Sequence, residues 1–428
     1  MRILDARNNP EAVRQLIVRR WESNRPVEER AAEILGKVAK EGDAALLDYT
    51  RQYDCPGIDG IGLRVPDHDL ENARSAVGRK FLKALREARK NIVRFHKNQL
   101  PKSWAVKKKG ITLQQRFLPL DRVGIYVPGG KAAYPSTVLM NALPARIAGV
   151  REIVMVTPCN ADGMIKPEVL AAAFESGVTE VYRIGGAQAI AALAFGTETI
   201  APVDKITGPG NAYVAAAKKM VFGRVGIDMI AGPTEVVIVA DATANPAFIA
   251  ADLIAQAEHD ESATPMVITF APAIVQEIEL QINLQLEDAP RRDIARKALD
   301  GQGVIVIVAG EKEAVEVVND LAPEHLEIMV KHPRRCAALV SKAGSIFIGE
   351  WSTEALGDYV AGPNHTLPTL GTARFSSPLG VYDFMRFTNV IEISRRMHGK
   401  LGPHAEVLAE AEGLYGHAAS LRIRRVKK

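Results

Sequence analysis

A chain of 428 residues is too long for one simple hydrophobic core, so about two or three domains are expected. Its 24% charged and 47% apolar residues are the balance of a globular protein, which excludes a disordered or fibrous chain. A formal net charge of +4, from 54 basic and 50 acidic residues, is small for this length and argues against a nucleic-acid partner.

In chain order, Met1-Arg-Ile-Leu-Asp5 lacks the apolar segment of a signal peptide. No uncharged run reaches the roughly 18 residues of a membrane span. A cytoplasmic chain with no membrane partner is the expectation. Apolar residues at helical spacing predict helices over Glu11–Trp21, Val27–Tyr53 and Ser75–Gln99. From about residue 120, short β-branched runs alternate with Ala-rich helical stretches. Strands are expected near Val123–Val127, Ile153–Val156, Glu180–Ile184, Glu235–Ala240, Met266–Phe270, Val304–Val308, Leu326–Val330 and Ser345–Ile348. Their near-continuous apolar character suits parallel sheets covered on both faces. Beyond Pro378 the pattern turns helical and charged again, most clearly over Ala405–Leu414.

The fold class read from this pattern is α/β, with two Rossmann-like parallel-sheet domains lacking GxGxxG and helical segments at both ends. The expected boundaries are an N-terminal helical tail segment over 1–26 and a discontinuous first domain over 27–125 and 236–378. A second domain covers 126–235, and a C-terminal tail covers 379–428. The two alternating stretches show no internal sequence repeat.

The chain has nine histidines, and four fall in acid- or amide-bearing motifs in its second half. Asn245-Pro246 is a helix start, and in the helix that follows Gln256 and His259 share one face. Asp358 follows Gly357, His365 closes Gly362-Pro-Asn-His365, and His417 closes Glu412-Gly-Leu-Tyr-Gly-His417. Imidazole nitrogens, a carboxylate and an amide oxygen suit zinc or a similar divalent ion. Taken singly, each residue also reads as surface or satisfied core. Glu324 and His325 are neighbours ahead of the Leu326–Val330 strand. In a loop both could face one cleft, the histidine taking a proton from an alcohol and the glutamate activating water.

Three strand-to-helix turns are glycine-rich: Pro128-Gly-Gly130, Gly185-Gly186 and Gly208-Pro-Gly210. None is a standard dinucleotide fingerprint, although helix starts after such turns can hold phosphates through free N–H groups. Asn211 can cap its helix and donate to a ligand. Cys55, Cys159 and Cys336 are isolated and odd in number, which argues against a disulfide framework.

Together these motifs resemble the L-histidinol dehydrogenase family of zinc- and NAD-dependent enzymes of histidine biosynthesis. The resemblance spans nearly the whole chain. It is strongest in Gly124-Ile-Tyr-Val-Pro-Gly-Gly130, Gly185-Gly-Ala-Gln188, Gly208-Pro-Gly-Asn211, Ile227–Glu235, Gln256-Ala-Glu-His259, Pro323-Glu-His325, Gly357-Asp358, Asn364-His365 and Glu412-Gly-Leu414. It implies one zinc per subunit on Gln256, His259, Asp358 and His417, an acid–base pair in Glu324 and His325, and NAD contacts at Tyr126, Gln188 and Asn211. The implied substrate contacts are Thr234, Gln256, His259, His325, Asp358, His365, Glu412 and His417. Some members carry Ser where this chain has Thr234, which keeps the hydroxyl. The resemblance further implies oxidation of L-histidinol to L-histidine and a homodimer whose exchanged tails bring Glu412 and His417 to the partner's site.

Three rival readings fit less well. A paralogue oxidising another small alcohol, such as a sulfonated diol, does not explain His365, Glu412 and the full ligand set together. A thiol-dependent aldehyde dehydrogenase centred on Cys159 lacks accompanying His or Glu motifs. A non-catalytic binding protein would be expected to have lost Glu324 or His325.

Overall fold

The computed structural model describes residues 1–9, 11, 13, 15–16, 24–129 and 133–425. In chain order the strands are β1 (Arg2–Asp5), β2 (Trp104–Lys108), β3 (Ile111–Pro119), β4 (Arg122–Tyr126), β5 (Glu152–Thr157), β6 (Glu180–Arg183) and β7 (Lys205–Thr207). They continue with β8 (Gly226–Ile227), β9 (Glu235–Ala240), β10 (Thr264–Thr269), β11 (Val304–Ile307), β12 (His325–Met329), β13 (Ser345–Ile348) and β14 (Met385–Ile393). A five-stranded sheet runs β6-β5-β4-β7-β8, and a six-stranded sheet runs β1-β11-β10-β9-β12-β13. Every pairing in both is parallel.

Both sheets use the same winding. Apart from β1 at the edge of the six-stranded sheet, each starts in the middle (β4 or β9), steps twice to one side, then crosses to the other side for the last two strands. This is the doubly wound order 3-2-1-4-5 of a dinucleotide-binding fold, one strand short of six. The winding repeats although no sequence repeat is visible, because a doubly covered strand asks only for a continuous apolar run. All six residues of β9 are buried.

Three expectations are corrected. Residues 27–125 do not join the six-stranded sheet. Ile34, Leu35 and Val38 of the helix Arg25–Glu41 pack with Ile190, Leu193 and Val214 on one face of the five-stranded sheet. Leu70, Leu85 and Ile92 pack with Leu139, Leu143 and Val169 on its other face. The apolar stripes of these amphipathic helices were legible, but which sheet they cover was not.

The N-terminal segment opens with β1 rather than a helix, and β1 pairs with β11 at the edge of the six-stranded sheet. Most of the helix expected over Glu11–Trp21 lies outside the described residues, as does Gly130.

The C-terminal segment begins with β14, which pairs antiparallel with β3 along its whole length, from Met385 opposite Pro119 to Ile393 opposite Ile111. With β2 these strands form a third sheet. Met385, Phe387, Ile391 and Ile393 share one face of β14. The helices Arg395–Ala411 and Tyr415–Arg422 follow.

No helix among the described residues is long and apolar enough to cross a membrane.

Candidate active site

In an open parallel sheet, ligands bind beyond the carboxyl ends of the strands, where the winding changes direction. In the five-stranded sheet that point lies between β4 and β7. Here β4 ends at Tyr126 and β7 leads into Gly208. Gly208 has φ +110°, and a Cβ on it would lie 2.1 Å from the Tyr126 carbonyl oxygen, so no other residue fits. The Tyr126 hydroxyl accepts from the Gly186 N–H at 3.1 Å. Burial pushes its phenol up to about 12. Gln188 is buried in the helix Gly186–Phe195. Asn211 is exposed and caps the helix Ala212–Val221, accepting from the Tyr213 and Val214 N–H groups at 3.0 and 3.1 Å. Three turns thus present Tyr126, Gln188 and Asn211 at one edge of the sheet. Asp54, which the sequence did not single out, faces the Gly185 backbone at the same edge, and burial raises its carboxyl to about 6.

The second group lies at the amino ends of strands in the six-stranded sheet. Glu324 immediately precedes β12, and His325 is its first residue rather than a loop residue. Both are buried, at 6% and 2% exposure. Glu324 Oε2 accepts from the Thr234 hydroxyl at 2.7 Å and the Glu235 N–H at 2.9 Å. Burial raises Glu324 to about 7, against the opposing pull of His325. His325 Nδ1 lies 3.1 Å from the Glu235 carbonyl. A carbonyl only accepts, so Nδ1 carries the proton and a neutral ring keeps its lone pair on Nε2. That Nε2 is buried without a hydrogen-bond partner, 3.5 Å from Asp358 Oδ1. Burial opposes the charged imidazole, but Glu354, Glu324 and Asp358 outweigh it and raise the ring to about 10. Glu324 and Glu354 each place a carboxylate oxygen 3.7 Å from Nδ1.

Beside His325, one ligand atom each from His259, Glu354 and Asp358 lies within 4.8 Å of the others. His259 sits just past the end of the helix Pro246–Ala257, in which Gln256 occupies the last turn. Asp358 lies in a one-turn π-helix, Gly357–Ala361, of the kind common at functional sites. A Cβ on Gly357 would lie 2.5 Å from the Phe347 ring, so glycine lets this turn seat against β13. Burial works against ionisation of Asp358, yet His325, His365 and His259 together hold its carboxyl below the usual range. His365 Nδ1 bonds the Asp358 carbonyl at 2.9 Å, which ties the fourth motif to the third.

The Gln256 amide reaches Thr234 Oγ1 at one end (2.9 Å) and the Glu354 carboxylate at the other (2.8 and 2.9 Å). The Thr234 hydroxyl has one proton, and it goes to Glu324. It can then accept only from the amide nitrogen, which turns the Gln256 oxygen towards Glu354. Turning the nitrogen to Glu354 instead would satisfy that carboxylate but leave the Gln256 and Glu324 oxygens competing for one hydroxyl proton. In the first orientation the Gln256 oxygen faces Glu354, whose raised carboxyl supplies the proton between them. Beside that pair, His259, Glu354 and Asp358 bring an imidazole and two carboxyl groups together, the donor set of a cation site.

Glu354, at 5% exposure, is the residue the sequence reading missed. Thr353 caps its short helix, and Glu354 stands four residues before Asp358, a spacing that could have flagged it. Burial raises its carboxyl to about 8. Glu412 and His417 remain apart. Both are exposed near the C-terminus, and His417 is not in the cluster formed by the described residues.

The family model described as histidinol dehydrogenase matches residues 18–425. A histidinol dehydrogenase from Gluconobacter oxydans is 50% identical over 410 residues, 96% of this chain and 95% of that protein. One from Listeria monocytogenes is 51% identical over 399 residues, 93% of each. The crystal structure of histidinol dehydrogenase from Elizabethkingia anophelis superposes with a TM-score of 0.91 at 35% identity, covering 99% of this chain and 96% of that one. The fold with two Rossmann-like sheets is shared with that crystal structure, and these matches make the chain an oxidoreductase. The chain belongs to the histidinol dehydrogenase family.

Proposed function

We propose that this enzyme oxidises L-histidinol to L-histidine through L-histidinal, with two NAD molecules per turnover and one zinc ion per site. The observation that carries the reading is the convergence of one ligand atom each from His259, Glu354 and Asp358, with the Gln256 amide against Glu354, beside the orphaned Nε2 of His325. A zinc ion held there would supply Lewis-acid anchoring for the substrate's imidazole and amine nitrogens. Tyr126, Gln188 and Asn211 would hold NAD, which would supply the hydride acceptor for each oxidation.

The remaining chemistry belongs to the chain. His325 Nε2 takes the alcohol proton in the first oxidation. For that the ring must be neutral, and the three carboxylates around it oppose this. A cation shared with Asp358 weakens their field, so the base is set by the loaded site. Glu324 takes a proton from the water that adds to the aldehyde, and its burial keeps the carboxyl near the working pH. His325 serves again as base in the second oxidation. Thr234 orients Glu324, and His365 with Glu412 frames the substrate.

His417 completes the ligand set from a second copy of the chain. Its exposure and distance from the cluster support this reading. So does the apolar surface on the same segment and the sheet it builds: Trp104, Val106, Phe387, Ile391, Val407, Leu408 and Tyr415 are all more than half exposed.

The test is NADH formation from L-histidinol before chelation, after it, and after zinc is restored. Chelation is expected to abolish turnover, and zinc to restore it with two NADH per L-histidinol. Zinc-loaded, folded protein that forms no NADH would refute the substrate and favour another alcohol.

A further inference from the structure

Lys218 and Asp228 form an ion pair that neither the cofactor edge nor the acid–base centre accounts for. Their side chains are 2% and 1% exposed. Burying two charges is expensive, and apolar residues of similar volume commonly serve packing as well or better. The pair therefore calls for a reason beyond filling space, and its hydrogen bonds supply one. Lys218 Nζ bonds both Asp228 Oδ1 and the Gly208 carbonyl, the latter at 2.9 Å. Asp228 Oδ2 accepts from the Gly208 N–H at 2.8 Å, and Oδ1 accepts from the Met229 N–H at 2.6 Å. Both backbone polar groups of one residue are thus held by opposite members of one ion pair.

That residue is the glycine at the winding switch of the five-stranded sheet. Its contact with the Tyr126 carbonyl leaves no slack, and three residues later Asn211 caps the helix that carries Lys218. The Asn211 side-chain oxygen is committed to that cap. Its amide nitrogen is the group left to meet a ligand, and its position follows from where Gly208 is held. Asp228 immediately follows β8 and begins the crossover to β9. Along that crossover the Gly232 N–H donates to Thr369 Oγ1 at 2.6 Å, and Thr234 then reaches Glu324.

We infer that Lys218 and Asp228 are the positioning pair of the cofactor edge. They fix the Gly208–Asn211 turn and couple it to the crossover that delivers Thr234 to the acid–base centre. The inference rests on the assignment of Asn211 to NAD. The pair touches no reacting atom, so its loss should act on NAD affinity ahead of the chemistry.

The test compares Asp228→Asn, the double variant Lys218→Met with Asp228→Asn, and Asn211→Ala. The double variant leaves no unpaired buried charge, so it separates positioning from a folding defect. The readouts are NAD affinity by direct titration, KM for NAD, kcat at saturating NAD, KM for L-histidinol, zinc content and thermal melting. In the folded double variant, KM for NAD is expected to rise by about 10- to 100-fold, with kcat at saturating NAD within about 2-fold and zinc content unchanged. Unaltered NAD affinity in that variant, or loss of zinc, substrate binding and stability in parallel, overturns the positioning role. If Asn211→Ala also leaves NAD affinity unaltered, the cofactor assignment itself has failed. If Asn211→Ala weakens NAD and the double variant does not, only the positioning inference falls.

Discussion

Replacing His325 with Asn is expected to lower oxidation of both L-histidinol and L-histidinal by about 10²- to 10⁴-fold, with zinc content unchanged. Asn keeps a polar group at the Glu235 carbonyl but supplies no lone pair where Nε2 stood. Glu324→Gln is expected to behave differently. It keeps an oxygen to accept from the Glu235 N–H, yet it cannot take a proton from water. Oxidation of L-histidinal should therefore fall by a similar factor, while the first oxidation, followed by transient formation of the first NADH, is largely retained. The pH dependence adds an independent check. Burial raises the Glu324 carboxyl from 4.5 to about 7, so its ionised, proton-accepting fraction grows as pH rises through 7. L-Histidinal oxidation should climb through that range in the wild type, and the climb should vanish in Glu324→Gln. Equal loss of both oxidations in that variant would sink the division of labour.

Mixing two inactive variants is expected to restore activity. His417→Asn removes the ligand contributed to the neighbouring site, and His325→Asn removes the base of the chain's own site. A mixed dimer carries both defects in one site and neither in the other, since a two-fold dimer has two equivalent sites. Random reassortment makes half the dimers mixed, each with one intact site of two, so about a quarter of wild-type activity should return. The recovery should require subunit exchange and track the mixed dimer in native mass spectrometry. Each variant alone should stay below about 1% of wild-type activity. Mixed dimers without recovered activity would place His417 in its own chain's site or outside any site.

The sequence by itself determined most strands of both parallel sheets, though not β1, β7 or β8, and the pieces of the site. Short β-branched runs such as Val236–Ala240 suit strands covered on both faces, and Asn245-Pro246 suits a helix start. Gln256 was legible as a helix residue, but the expected shared helix face failed for His259, because the helix ends at Ala257 and His259 lies in the turn beyond it. Glu324 and His325 were legible as a pair for their chemistry, and the resemblance to a family gathered the scattered motifs in order.

Tertiary structure decided everything that depends on which surfaces meet. The stripe of Ile34, Leu35 and Val38 fits any apolar sheet face, so only packing assigned those helices to the five-stranded sheet. The strand Met385–Ile393 looked like charged tail because its partner, Ile111–Pro119, lies some 270 residues earlier, beyond the reach of a local pattern. Glu354 carried no motif of its own. Its role emerged once folding set its carboxylate against His259 and Asp358, and Lys218 and Asp228 became meaningful only when both closed on Gly208. The physical reason is common to these cases. Periodicity and capping are properties of neighbouring residues, whereas pairing, burial of charge and convergence of ligands are settled by the free energy of the whole chain.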